Sequence, residues 1–213
     1  MQARRTAFLV IVQVIALVGV IPAQANTISG ELWHVPEATS QNAILANVPV
    51  TTADVAFDVN SPFNFSGTSV NVGTWLASSS AFNIVQNTAG TLTSLMDNGT
   101  QGTLVEFQGF VTVTTGQMFT VTHDDGLTLI IGATNLGFNP GPTAPVTTTA
   151  TYTGPSGTFV FTLVYGECCG GPAVLQLDLP LSNTPVPEPA TGLLLTIGLS
   201  GLIGYGWRRK KRA

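Results

Sequence analysis

Basic side chains are absent from most of this 213-residue chain. All seven Lys and Arg residues lie in the first five or the last six positions, and none occurs between Asn26 and Pro185. That interval carries ten Asp and Glu residues. An interval this acidic repels phosphate backbones, so we expect no binding to nucleic acid. A buried carboxylate in it has no Lys or Arg partner, so it must be hydrogen-bonded, protonated or bound to a cation.

Cysteine is almost as scarce. The two cysteines, Cys168 and Cys169, are sequence neighbours and cannot link distant strands. With no disulfide framework, stability must come from a hydrophobic core, for which 44% apolar residues is enough. Two glycines follow the pair and can absorb the strain of a vicinal disulfide, which we predict. Free thiols, thiol attachment to a partner and a metal pair stay open, because His123 is the one histidine nearby.

Enzyme signatures are also missing. The chain has no G-x-S-x-G elbow, no phosphate-binding loop and two histidines, His34 and His123. A carboxylate pair such as Glu106 and Asp124 is formally able to hydrolyse glycosides. The alternation Val105-Glu106-Phe107, however, predicts Glu106 on the solvent face of a strand. We therefore expect no catalytic activity.

The N-terminus has the layout of a secretory signal peptide. Arg4 and Arg5 precede an apolar run over residues 7–21, and Ala23-Gln24-Ala25 ends it. Small residues such as Ala23 and Ala25 fit signal peptidase at positions −3 and −1, which predicts a signal peptide over residues 1–25. The alternative is a retained N-terminal anchor.

A second apolar segment lies near the C-terminus. Residues 190–207 are 18 positions without a charge, about 27 Å as a helix, close to the hydrocarbon thickness of a bilayer. Tyr205 and Trp207 lie at its end, where interfacial aromatics are favoured. The tail, residues 208–213, contains five cations: Arg208, Arg209, Lys210, Lys211 and Arg212. The positive-inside rule places this tail in the cytoplasm, so the acidic body is exported and first held at the inner membrane.

The linker over residues 181–189 ends in Pro187-Glu188-Pro189. Together with the apolar segment and the basic tail, this motif resembles the PEP-CTERM sorting signal of Gram-negative bacteria. The resemblance implies that exosortase, a membrane-embedded cysteine transpeptidase, recognises Pro187, Glu188 and Pro189. It also implies release to the cell surface or the extracellular matrix. The alternative is a plain single-span anchor with a Pro-rich stem.

The middle of the chain, residues 26–180, has the alternation of β-strands, with Gly, Pro, Asn and Asp between them. Asn98-Gly99 predicts a tight turn before one of these strands. The fold class predicted is all-β, an antiparallel β-sandwich of about eight or more strands. The predicted strands are Asp54–Val59, Leu104–Val113, Gln117–His123, Leu127–Ile131, Val146–Thr153, Thr158–Val164 and Ala173–Leu179.

Asp124-Asp125-Gly126 is the strongest site candidate, because two adjacent carboxylates in a cation-free domain attract a hard cation such as Ca²⁺. The segment Phe107–Leu179, including this motif and Tyr165-Gly166-Glu167, resembles the protective-antigen-type β-sandwich domain of toxins, glycosidases and adhesins. The resemblance implies that Asp124 and Asp125 bind Ca²⁺, which then binds sugar hydroxyls, with Glu167 as a third ligand. The alternative is a β-turn in which the Asp side chains cap backbone N–H groups and Gly126 supplies a positive φ.

These predictions combine into an exported, exosortase-sorted surface or matrix protein that binds glycans with the help of Ca²⁺. One alternative is a structural component of a biofilm or exopolysaccharide matrix without a specific ligand. Another is an accessory domain of an enzyme. We assign the aromatic residues of the first half to the core rather than to a sugar-stacking surface: Trp33, Phe57, Phe63, Phe65, Trp75 and Phe82.

Overall fold

The computed structural model describes residues 27–180, which form two antiparallel β-sheets packed face to face. The predicted signal peptide, sorting motif, membrane helix and basic tail lie outside these residues. Within residues 27–180, no helix is long and apolar enough to cross a bilayer. The strands are β1 Thr27–Pro36, β2 Val55–Asn60, β3 Phe63–Gly67, β4 Phe82–Gln86, β5 Gln101–Val113, β6 Met118–His123, β7 Gly126–Ile131, β8 Thr134–Asn135, β9 Val146–Thr151, β10 Gly157–Glu167 and β11 Ala173–Leu177.

The larger sheet has seven strands in the order β4-β2-β1-β5-β10-β7-β8, and the smaller has four in the order β3-β11-β6-β9. The predicted all-β, antiparallel sandwich is thus confirmed. Each of the seven predicted strand windows overlaps an observed strand, because alternation of apolar and polar residues marks a sheet that is buried on one face. The expected turn at Asn98-Gly99 is also present, with Gly99 at φ 78°.

Aromatic side chains fill the space between the sheets. Phe65 stacks on Trp75 at 4.2 Å between ring centroids, and Trp75 lies parallel to Tyr165 at 5.9 Å. Four of the six aromatics assigned to the core lie between the sheets and are at most 3% exposed: Phe57, Phe63, Phe65 and Trp75. Trp33 is also buried, but in a separate cluster on the outer face of the larger sheet. Phe82 is half-buried on the edge strand β4.

Two short helices lie outside the sheets. Helix α2, Val72–Ser78, begins at Asn71, whose side chain accepts a hydrogen bond from the Thr74 N–H at 2.8 Å. It contributes Trp75 to the core. Helix α1, Glu37–Ser40, and a 3₁₀ turn at Leu45–Asn47 belong to the segment that follows β1.

The outer face of the larger sheet carries a second apolar cluster, formed by Trp33, Val35, Ala43, Ala53, Leu104 and Val164. Ala43 and Ala53 come from the segment after β1, which therefore covers part of this face. Glu106 lies on the same face but is only 9% exposed, so the predicted solvent-exposed position is wrong. Strand alternation identified the correct face; it does not show that a distant loop packs against that face.

Candidate functional site

Two loops that connect the two sheets lie close together at one end of the sandwich. Asp124 and Asp125 connect β6 of the smaller sheet to β7 of the larger one. Residues 168–172 return from β10 to β11. Gly126 of β7 pairs with Gly166 of the antiparallel strand β10. Asp125 directly precedes Gly126 and Glu167 directly follows Gly166, so the two acids lie at the same end of the sheet. The structure thus brings together Asp124, Asp125 and Glu167, which we call the loop cluster.

The Gly126–Gly166 pair allows the covering loops to approach closely. A Cβ atom on Gly126 would lie 2.1 Å from the Pro140 carbonyl oxygen, and one on Gly166 would lie 2.2 Å from the Ser40 carbonyl oxygen. No side chain fits at either contact, since real Cβ atoms do not approach backbone oxygens so closely. These two glycines therefore let the backbone at Pro140 and Ser40 pack directly against the ends of β7 and β10.

The loop cluster concentrates three acids in a buried space. Asp124 and Asp125 are each 4% exposed and Glu167 is 1% exposed, and a carboxylate oxygen from each lies within 4.8 Å of the others. Burial raises the pKa of Asp124 and of Asp125 to about 6, and that of Glu167 to about 8. The neighbouring carboxylates raise the Asp125 and Glu167 pKa values further, because no cation of this domain offsets their charge.

Asp125 is held in an uncommon backbone conformation, with φ at 50°. Its N–H donates to the Thr143 carbonyl and to Asp124 Oδ1, both at 2.9 Å. Its Oδ2 accepts the Cys168 N–H at 2.7 Å. The capping contacts of the β-turn alternative are therefore present, but the positive φ belongs to Asp125 rather than to Gly126. The Asp124 and Asp125 side chains thus cap the N–H groups of Asp125 and Cys168, and one buried carboxylate oxygen of the turn is left without a partner.

That oxygen is Asp124 Oδ2. It is buried and has no hydrogen-bond partner, one of two such side-chain atoms within residues 27–180, the other being Trp75 Nε1. A buried carboxylate oxygen without a donor is costly, and natural proteins almost always satisfy it. It also faces a cluster of like charge. A bound cation would satisfy this oxygen and offset the charge of the other two acids.

Two residues that were not predicted from the sequence complete the surroundings. The Tyr165 hydroxyl donates to Glu167 Oε2, and this bond opposes the burial that raises the Glu167 pKa. Asp97 accepts the Gly170 N–H at 2.7 Å, so it anchors the β10–β11 loop beside the cluster. The Asn98-Gly99 turn signalled a bend next to Asp97, but the contact with Gly170 spans 73 residues and depends on the fold.

The two histidines have separate structural roles. His123 is fully buried, and burial lowers its pKa, so the ring is neutral near pH 7. Its Nδ1 lies 3.0 Å from the Asp125 carbonyl oxygen, which can only accept, so Nδ1 carries the proton. Nε2 then accepts from the Thr148 hydroxyl at 3.1 Å. His34 lies elsewhere and donates through Nε2 to the Leu95 carbonyl at 2.9 Å.

The cysteine pair lies next to the loop cluster. A sulfur atom from each of Cys168 and Cys169 lies within 4.8 Å of a carboxylate oxygen of Asp125 and of the other sulfur. Cys168 is buried and Cys169 is exposed, with φ at 67°. The vicinal disulfide stays a prediction, and so does the alternative of a metal pair.

Glu167 lines a separate recess of about 90 Å³. An open groove of about 370 Å³ borders Asp124 and Asp125 of the loop cluster. Asp124 and Asp125 form its base, and two loop segments, residues 142–145 and 169–172, form its walls. Pro142, Pro145 and Pro172 make these walls stiff and partly apolar. A groove of this size with polar groups at its base can hold a small ligand such as a sugar unit.

Comparison with known proteins identifies the C-terminal segment. Residues 185–210 match the PEP-CTERM protein-sorting motif. The chain carries this sorting signal. The match includes Pro187, Glu188 and Pro189 and confirms the resemblance drawn from the sequence. No curated protein matches the sequence.

Three solved structures are similar to the described fold. The PA14 domain of the MpAFP antifreeze protein is 19% identical with a TM-score of 0.48, and the match covers 76% of this chain and 85% of that one. The PA14 sugar-binding domain from an RTX adhesin is 17% identical with a TM-score of 0.48, covering 72% and 90%. An anti-sigma factor domain-containing protein is 13% identical with a TM-score of 0.40, covering 76% and 49%.

Proposed function

We propose that this protein is a cell-surface or matrix glycan-binding module that exosortase processes, and that its loop cluster binds Ca²⁺. The observation that carries the proposal is the buried set of three carboxylates with an unpartnered oxygen on Asp124, in a domain without Lys or Arg. A structural turn alone explains the capping contacts of Asp125. It does not explain why three acids are buried together.

The ligand set favours Ca²⁺ over other metals. Carboxylate oxygens are hard ligands, and Ca²⁺ accepts six to eight oxygens in irregular geometry. Asp124, Asp125 and Glu167 would provide the carboxylates, and the groove beside Asp124 and Asp125 leaves positions open for sugar hydroxyls. Asp125 with Cys168 and Cys169 forms a softer set that would favour zinc, but it offers three ligands of which two are consecutive in the chain.

Export supports a function outside the cell. The sorting motif indicates an exported protein that passes through a membrane-held stage, with the body on the outer side. Extracellular Ca²⁺ modules typically bind with dissociation constants of about 0.1–1 mM, and a site of this kind suits an exported domain. The N-terminal signal peptide, cleavage after Ala25 and the helix over residues 190–207 remain predictions for the same route.

Glycan binding is the proposed use of the groove. Sugar hydroxyls bind well where a cation and carbonyl oxygens are exposed next to stiff loop walls. The competing function is a structural component of the matrix, with neither metal nor ligand at the loop cluster.

A glycan array separates the two functions. We expect the full chain in detergent to bind a subset of glycans with 1 mM Ca²⁺ and to lose this binding in EDTA. Asp124→Asn/Asp125→Asn should lose it too, whereas Asp178→Asn, an exposed carboxylate outside the groove, should keep it. Binding that persists in EDTA and in the double variant would contradict the proposed role of Ca²⁺. An array without any binding, for wild type in Ca²⁺, would favour the structural component.

A further inference from the structure

The outer face of the larger sheet carries a second acidic recess, distinct from the loop cluster. It is a groove of about 320 Å³, which we call the sheet groove. Its polar lining comes from three neighbouring strands and from β4. These polar residues are Ser29, Glu31, Asp58, Asn83, Glu106 and Gln108.

Strand register explains why these side chains converge. Glu31 of β1 lies directly opposite Glu106 of β5. One row further along the same face, Ser29 lies between Asp58 and Gln108. Alternation directs all of them outward, since Ile28, Phe57 and Phe107 on the same strands enter the core. Three carboxylates and an amide therefore line two adjacent rows of one sheet face.

Glu106 is the unusual member. It is 9% exposed and lines the groove, yet its carboxylate has no hydrogen bond or ion pair within the described part of the chain. Its neighbour across the ladder is another carboxylate, and like charges in that position are destabilising. On its other side lies Val164, fully buried in the outer apolar cluster. A largely buried carboxylate that lies opposite a like charge and opens into a groove can be compensated by a cationic group bound there.

The compensating group is not a single metal ion held by the three acids. Within residues 27–180, the carboxylates that converge within 4.8 Å as sets of three are those of the loop cluster, and Glu31, Asp58 and Glu106 form no such set. The sheet groove spreads its negative charge over two rows. It also provides amide groups from Asn83 and Gln108, and Asn83 already donates to Asp58 Oδ2 at 2.8 Å. Such a lining fits a polyatomic ligand with one positive charge and several hydroxyls.

We propose that the sheet groove is a second binding site, which takes a polyhydroxylated amine such as a hexosamine unit of a polysaccharide. Glu31 and Glu106 pair with its ammonium group, and Asp58, Asn83 and Gln108 receive its hydroxyls. The site lies on the sheet face rather than at the loop end, so it functions with or without Ca²⁺ and does not rest on the function proposed for the loop cluster.

Calorimetry on the full chain in detergent tests the proposal, with EDTA present so that the loop cluster stays free of metal. The probes are a glucosamine trimer and the N-acetylated trimer, compared at pH 6.5 and low salt. We expect the glucosamine trimer to bind at least tenfold more tightly than the acetylated one, because acetylation removes the positive charge. Glu106→Gln should weaken this binding at least tenfold.

Two controls make the result specific. Asp178→Asn removes the same charge from an exposed site elsewhere and should leave the affinity unchanged. Glu106→Gln has nearly the same shape and relieves like-charge opposition, so its melting temperature should not fall. This distinguishes lost binding from lost folding.

Three results would overturn the proposal. One is equal affinity for the two trimers, which would exclude recognition of the ammonium group. Another is a wild-type chain that binds neither trimer, or a Glu106→Gln chain that binds as well as wild type. The third is Ca²⁺ binding by the Asp124→Asn/Asp125→Asn chain that disappears on adding Glu106→Gln, which would reassign the groove to metal ions.

Discussion

The loop cluster and the sheet groove each contain three acids, but they differ in how the acids are arranged. The loop cluster gathers its carboxylate oxygens within 4.8 Å and buries all three residues. The sheet groove spreads its acids over two strand rows and buries one of them, Glu106. Equal numbers of charges therefore favour different ligands. Converging oxygens fit one small hard ion, whereas separated carboxylates with amides between them fit a larger ligand with its charge at one end.

The loop cluster and the sheet groove also differ in the hydrogen bonds that their acids receive. In the loop cluster, N–H groups of Asp125 and Cys168 are directed at carboxylate oxygens, which fixes the acids in place before any ion binds. In the sheet groove, the Asn83 amide donates to Asp58, and no hydrogen bond to the Glu106 carboxylate is made within residues 27–180. A preorganised set of ligands binds more tightly because less ordering is lost on binding. The loop cluster should accordingly show the larger energetic effects.

The largest expected effect is stabilisation by Ca²⁺. At a Ca²⁺ concentration 100 times the dissociation constant, the wild-type free energy of unfolding should rise by about 2.7 kcal/mol, or roughly 5–10 °C in melting temperature. Asp124→Asn/Asp125→Asn should show no rise, because two of three carboxylate ligands are lost. Thermal unfolding with and without EDTA measures this. If Ca²⁺ stabilised the double variant by the same amount, the loop cluster would not be the Ca²⁺ site, and the two acidic sites would not differ in the way described.

A slightly smaller effect is expected from adding a side chain where strand β10 packs against the segment that follows β1. Gly166→Ala places a Cβ 2.2 Å from the Ser40 carbonyl oxygen, so the loop must move. We expect a loss of about 2 kcal/mol in stability and weaker Ca²⁺ binding, because Glu167 is the next residue. Gly141→Ala is the matched control, since its Cβ would meet Asn139 Oδ1 at 3.4 Å. Denaturant unfolding of both variants measures the difference. Equal stabilities would show that the contact between Gly166 and the Ser40 carbonyl does not position the acids.

The pH dependence of the metal-free chain tests the burial of the loop cluster. The folded pKa values, about 6 for both Asp residues and about 8 for Glu167, lie above their ordinary values of 3.8 and 4.5. The folded chain therefore keeps protons that the unfolded chain has released. The stabilisation is fully present below about pH 4 and is lost as pH rises from there through 6 to 8. Between pH 6 and 8, Glu167 alone should account for a loss of roughly 2 kcal/mol in EDTA.

Glu167→Gln is the control for that experiment, because it removes the group with the highest pKa of the three acids. Its stability should change less between pH 6 and 8 than that of the wild type. A wild-type profile that stays flat or rises over this range would indicate that these acids are hydrated and ionised in the metal-free protein.

The smallest expected effect belongs to the sheet groove. Without ligand, Glu106→Gln should raise stability by about 0.2–1 kcal/mol, because it removes one of two carboxylates that face each other across the β1–β5 ladder. Asp178→Asn should change stability less. Denaturant unfolding in EDTA measures both. A loss of stability in Glu106→Gln would mean that the carboxylate has a stabilising contact and that the groove is not poised for a cation.

The sequence predicted the β-rich core well and its margins less well. Strands β5, β7 and β10 alternate clearly or are rich in β-branched residues, so their periodicity was sufficient. Strand β4 was missed because it is a short, mostly exposed edge strand without a buried residue. Strand β3 is five residues long, and helix α2 is seven, which is too short to show a helical period.

For the candidate sites, too, the sequence predicts local features but not tertiary contacts. The adjacency of Asp124 and Asp125 is visible in the sequence, and a family resemblance suggested Glu167. The distance between them depends on the pairing of β7 with β10, which no local pattern contains. Glu106 was placed on the correct face but with the wrong exposure, because strand alternation gives the direction of a side chain and not how closely its neighbours on that face, here Glu31 and Val164, surround it. Asp97 was missed because its contact with the β10–β11 loop is entirely tertiary.

Calcium titration of the full chain at pH 7, performed in two buffers that differ in ionisation enthalpy, tests the central claim most directly. We predict one ion bound per chain and release of about one proton, because Glu167 is protonated at this pH before the ion displaces its proton. The observed heat should therefore differ between the buffers. Absence of binding, or the same binding heat in Asp124→Asn/Asp125→Asn, would contradict the assignment of Asp124, Asp125 and Glu167 as a Ca²⁺ site.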